Sequence, residues 1–98
     1  DNMSVLVGKV RQRVRFKTTV LDIEIADLID ECKADLRLSG VLAEKIIDDD
    51  PLILRAVSTY CRAYYETDTD NAKRLQLSYD LLKQHLTLST DYTVVSSP

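Results

Sequence analysis

Five cations alternate with apolar or amide side chains in KVRQRVRFK: Lys9, Arg11, Arg13, Arg15 and Lys17. A stripe of this kind could neutralise phosphates, and such binding weakens steeply with salt. On a helix, however, a step of two residues turns by about 200°, so the five spread around the circumference instead of lining one face. The chain as a whole is acidic, with net charge −3 and a pI near 5.0. A solvated or partner-facing polar surface is therefore a better account of the stripe than specific readout of a nucleic acid.

The other residues able to do chemistry are scattered. Asp48, Asp49 and Asp50 stand in a row, but consecutive side chains in an extended loop diverge, and the spacing of a calcium loop is absent. Helix capping explains Asp50, and attraction to the positive helix end covers its neighbours. His85 is the single histidine. Catalysis through it would need a nucleophile and an orienting acid that no motif supplies, whereas a place near a helix C-terminus suits it electrostatically. Cys32 and Cys61 form no C-x-x-C pair and fall within apolar stripes, as buried free thiols do. Tyr60, Tyr64 and Tyr65, flanked by Arg55 and Arg62, could stack on bases; the expectation is that Tyr60 and Tyr64 belong to the core and Tyr65 closes its edge. No phosphate-binding glycine loop or H-E-x-x-H motif occurs. The reading is a protein that is not an enzyme, with no cofactor and no metal site.

Helices have to position these residues. In DDDPLI, Asp50 is a good N-cap and Pro51 suits the first helical position. Ile53, Val57, Tyr60, Cys61 and Tyr64 then recur with helical spacing, predicting a helix over 51–66. After the polar turn TDTDNA, Leu75, Tyr79, Leu82 and Leu86 form the stripe of a helix over 70–87. Leu77, Leu81 and Leu88 widen that stripe beyond what a lone subunit can bury, which marks them as candidate interface residues. Upstream, Leu21, Ile25, Leu28, Ile29, Cys32 and Leu36 predict a helix over 20–39, capped by Thr19 or Asp22 and stopped by Gly40. VLAEKIIDD connects it to the next helix with room for one short helical turn, and residues 88–98 read as an irregular tail or arm.

The alternation in 9–17 also fits a strand, but no other convincing strand exists to pair with it, and a lone strand is not viable. Leu6, Val7, Val10 and Val14 instead give a narrow apolar edge to a first helix over 4–15. The expected architecture is a single all-α domain spanning 1–98, a small bundle of about four helices. No run of eighteen apolar residues is present to span a membrane, and the start of the chain lacks the pattern of a signal peptide, so synthesis inside the cell is expected. Charge is segregated: residues 1–20 hold five cations and one acid, residues 21–60 ten acids and four cations. A basic end and an acidic middle could attract each other between copies.

The order of these motifs resembles the small head–tail connector proteins of long-tailed bacteriophages, often called DNA-packaging proteins. Residues 7–41 (VGKVRQRVRFKTTVLDIEIADLIDECKADLRLSGV) are similar to the family's opening helix, T-T-x-x-D turn and glycine-closed second helix. DPLILRAVSTYCRAYYE (50–66) resembles its D-P-L-I helix, and RLQLSYDLLKQHLTLSTDY (74–92) its closing helix. Phe16 stands where the family has an aliphatic residue.

The resemblance implies a structural role in the virion, at the head–tail junction, for a protein made in the cytoplasm of a bacterial host. Such a subunit assembles with itself into a ring, expected to match a twelve-fold portal. It sits between the portal protein and a stopper or tail-completion protein and extends the DNA channel, touching the passing DNA non-specifically at most. The alternative from the residues alone is a small helical DNA-binding regulator using 9–17. Against it, no turn places a basic recognition helix second in a helix pair.

Overall fold

The Asp50–Pro51 signal starts a helix as its chemistry requires. Asp50 Oδ1 accepts from the Leu52 and Ile53 amides at 2.8 and 3.2 Å, filling two of the donors that a helix start leaves open. The computed structural model describes residues 2–14, 16 and 20–95. Its helices are α1 (Asn2–Arg13), α2 (Asp22–Leu38), α3 (Pro51–Tyr65), α4 (Thr69–Leu88) and α5 (Thr90–Thr93), with a 3-10 turn at Ala43–Lys45. The described residues include no strand. Arg15, Lys17 and the expected cap Thr19 lie outside the described residues.

Each boundary has a local cause. α2 ends in a Schellman arrangement: Gly40 adopts φ +116°, its amide donates to Arg37 O, and the Val41 amide donates to Leu36 O. Glycine is needed there because a Cβ would strain that backbone. At its start, Leu21 occupies the cap position without a side-chain cap, and Glu24 reaches back to the Leu21 amide at 3.4 Å. The expected cap Asp22 is instead the first helical residue, where its charge favours the positive helix end. Asp68 caps α4 through the Asn71 amide at 2.9 Å.

The core gathers most of the predicted stripes, although Leu75 and Leu82 of α4 are only half-buried. Leu6, Val7, Val10 and Val14 of the first segment are buried, and so are Ile25, Leu28, Ile29, Cys32 and Leu36 of α2. α3 contributes Ile53, Leu54, Ala56, Val57 and Cys61, while α4 buries only Tyr79 and Leu86. α1 packs on α2 and α3, and α4 packs chiefly along α3. The molecule measures 46 × 33 × 19 Å, so its thinnest dimension is about two helix diameters. α4 thus lies on a slab that cannot enclose it.

Two expectations are revised. Tyr64 was expected in the core but is 66% exposed. Its angular position is in line with Ile53 and Val57, but it falls in the last turn of α3, opposite a hollow rather than a packed layer. Tyr65 is the ring that packs inward, edge-on to Phe16 at 5.1 Å. The first part of the expected tail is also ordered against its own subunit. Ser89 caps α5, the Leu42 amide donates to Tyr92 O at 2.9 Å, and the Tyr92 hydroxyl donates to Asp50 Oδ2 at 2.8 Å.

Candidate assembly surfaces

α4 carries apolar residues on two opposite sides. Leu77, Leu81 and Leu88 fall within an arc of about 40°, and Tyr79 and Leu86 lie roughly opposite. The inner pair is buried, whereas Leu77, Leu81 and Leu88 are 59%, 49% and 79% exposed. Gln84 completes the outer row, giving steps of four, three and four, the spacing of a helix–helix seam. Beside it a hollow of about 360 Å³ runs along Ser39, Leu77, Leu81 and Thr87.

The basic segment is partly engaged within its own chain. Arg11 donates to Asp22 Oδ1 through Nε at 2.9 Å and Nη2 at 2.6 Å, and also to the Val20 carbonyl. Its guanidinium lies 5.9 Å over the Phe16 ring, so Phe16 bridges Arg11 and Tyr65. Lys9 faces Asp49 at 3.8 Å, with side chains 39% and 93% exposed, a weak pair. Arg13 is exposed and makes no ion pair among the described residues. Arg15 and Lys17 lie outside the described residues. Of the charge attraction expected between copies, two contacts are therefore found inside one chain.

Sequence reasoning passed over a polar cluster where α2, α3 and α4 meet. The Tyr79 hydroxyl donates to Asp35 Oδ2 at 2.7 Å, Lys83 Nζ reaches the same oxygen at 3.0 Å, and Cys32 Sγ lies 3.7 Å from the Tyr79 oxygen. Burial works against the Asp35 charge, but the bonds from Tyr79 and Lys83 outweigh it and hold the carboxyl below its usual range. Burial and the bond to Asp35 push the Tyr79 phenol far up. Tyr60 donates to Glu31 Oε1 at 2.6 Å and stacks edge-on with Tyr79 at 5.0 Å. The one available signal was the row Glu24, Asp27, Glu31, Asp35, which shares a side of α2 by helical spacing.

The acidic run Asp48–Asp50 is divided among separate structural contacts. Asp48 pairs with Lys33, Asp49 faces Lys9 and Asp50 caps α3, so the three successive carboxylates go to three different partners. Among the described residues no group of three His, Cys, Asp or Glu side chains could hold a metal ion, and no helix is long and apolar enough to cross a membrane. Cys32 and Cys61 are free and buried, and burial pushes both thiols up to about 12, which makes them poor nucleophiles.

The described residues thus form a thin all-α slab with exposed leucines and uncompensated charge. Residues 7–93 match the family model described as phage connector protein, and the chain belongs to that family. The family is structural rather than enzymatic. Neither the comparison with curated proteins nor that with solved structures returns a match.

Proposed function

We propose that the protein is a head–tail connector subunit that closes into a ring below the portal, joining the DNA-filled head to the tail and extending the DNA channel. The observation that carries this reading is the outer row Leu77, Leu81 and Leu88, set opposite the core side of α4. Covering the exposed part of three leucines is worth on the order of 3 kcal/mol per contact. A ring gives every subunit two such neighbours, and heterologous contacts close when the rotation allows. The portal protein on one side and a stopper or tail-completion protein on the other are the proposed partners, with DNA passing through without specific readout.

The test is sedimentation velocity across a concentration series, with and without the cognate portal protein. The expected result is ring-sized assemblies, lost in a Leu77→Asp/Leu81→Asp variant whose melting temperature is unchanged. A chain that stays monomeric even with the portal overturns the reading. The rival DNA-binding reading is not favoured, because Arg11 is already held by Asp22 and Val20.

A further inference from the structure

The carboxylates of α2 face a wall of tyrosines across a shallow trough. Glu24, Asp27, Leu28 and Glu31 line one side of a hollow of about 370 Å³, and Tyr64 and Tyr65 close the other. It continues past Tyr64 into a second hollow of about 290 Å³ beside Asp35, Tyr60 and Asp80. The carboxylate row from Glu24 to Asp35 extends about 17 Å along α2. Asp27 and Asp80 are exposed and find no cation among the described residues, while Lys83, the cation lining this stretch, is held by Asp35. Tyr64 presents its ring at the rim, 5.2 Å from Tyr65. Carboxylates beside open aromatic faces suit a guanidinium, which bonds the former through its planar edge and stacks on the latter.

The same chain carries the complementary surface. Lys9 and Arg13 are four residues apart on α1, about 6 Å along the axis, the same step that separates Asp27 from Glu31. Among the described residues Arg13 is unpaired and Lys9 is held only by the long contact to Asp49. We propose that the α2–α3 trough receives the Lys9–Arg13 edge of α1 from a second copy of this chain, with Arg13 placed between Asp27 and Tyr64. This rests on the reading that the chain self-associates, and it adds a polar, orienting contact to the apolar seam of α4. A charged contact of this kind sets register and partner choice as well as affinity.

The experiment is a charge swap on the full chain. Asp27 and Arg13 are both exposed, so Asp27→Arg and Arg13→Asp should fold with unchanged melting temperature. Each alone is expected to weaken association by about tenfold in sedimentation equilibrium, and the double swap to restore it. Raised salt should weaken the wild-type contact and leave the Leu77/Leu81 contribution in place. If wild type assembles and Asp27→Arg assembles equally well, or the double swap fails to rescue, the trough proposal falls and the connector reading stands. If Asp27→Arg abolishes portal binding without touching self-association, the trough takes a cationic segment of another protein, and the proposal is overturned. A wild-type chain that never associates, with or without portal, removes both.

Discussion

Tyr79 and Asp35, forty-four positions apart, are joined by a hydrogen bond of 2.7 Å that ties the middle of α4 to the last turns of α2. α4 buries little apolar surface of its own, so this bond and the neighbouring Lys83 contact do much to set its position on the slab. A charge-assisted bond from a buried phenol is stronger than a neutral one and more directional than leucine packing. The outer row of α4 points outward because Tyr79 is held inward.

Tyr79→Phe is expected to cost about 1–2 kcal/mol in urea unfolding at neutral pH, since it removes a bond to a charged group and leaves the ring in place. The acid limb should change with it. Because the folded-state Asp35 carboxyl sits below its unfolded value, it contributes stability that is present above the ordinary carboxylate range and lost as pH falls through the lower, folded value. Urea midpoints measured from pH 6 down to pH 2 should show a shallower acid decline in Tyr79→Phe than in wild type. Identical declines would rule out Tyr79 as a cause of the depression.

The thiols set an alkaline limit. Cys32 and Cys61 are raised from 9.0 to about 12 in the folded chain, so their contribution is complete below pH 9 and is lost as pH rises toward 12. Unfolding midpoints should fall between pH 8 and pH 11. A thiol reagent at pH 8 should leave the native protein unlabelled and modify both cysteines in urea; rapid labelling of folded protein would contradict their burial.

Ser58 Oγ is buried and has no hydrogen-bond partner among the described residues. A desolvated hydroxyl left unpaired is a net cost, so Ser58→Ala should stabilise the protein by about 1 kcal/mol. Thermal melts of the two proteins decide it, and a lower melting temperature for the alanine variant would count against the assignment.

Asp50 serves two structures at once, capping α3 and accepting from Tyr92 of α5. Asp50→Ala should cost about 1–2 kcal/mol, most of it from the cap, and Tyr92→Phe less than about 1 kcal/mol. The two should not add, because the phenol has nothing to bond once the carboxylate is gone. A double-mutant cycle measures the coupling, and hydrogen exchange at the Leu42 amide should speed up in both variants.

Helix ends and the core stripes were legible in the sequence because they rest on short-range rules. Asp50–Pro51 caps the chain locally, Gly40 alone tolerates its positive φ, and the spacing of Ile25, Leu28, Ile29, Cys32 and Leu36 marks one side of a helix wherever that helix lies. The same spacing located Val10 and Val14 inside, while the want of a partner strand excluded a strand there. Family membership was legible for a related reason: it is carried by the order of such local motifs.

Depth and partner choice were not legible. Tyr64 has the right angle for the core but meets a hollow, because the spacing between α3 and α2 at that level depends on how the helices stack. Arg11 finds Asp22 and Phe16 finds Tyr65 only after the first segment folds back over α2 and α3. The bond between Tyr79 and Asp35 depends on the relative rotation of two helices far apart in sequence. A sequence records periodicity along each helix; rotation and offset between helices come from packing all of them at once. Tertiary structure alone therefore settled how deeply each apolar residue of α4 sits, which cations are satisfied within the subunit, and that a carboxylate row on α2 lies against tyrosines of α3.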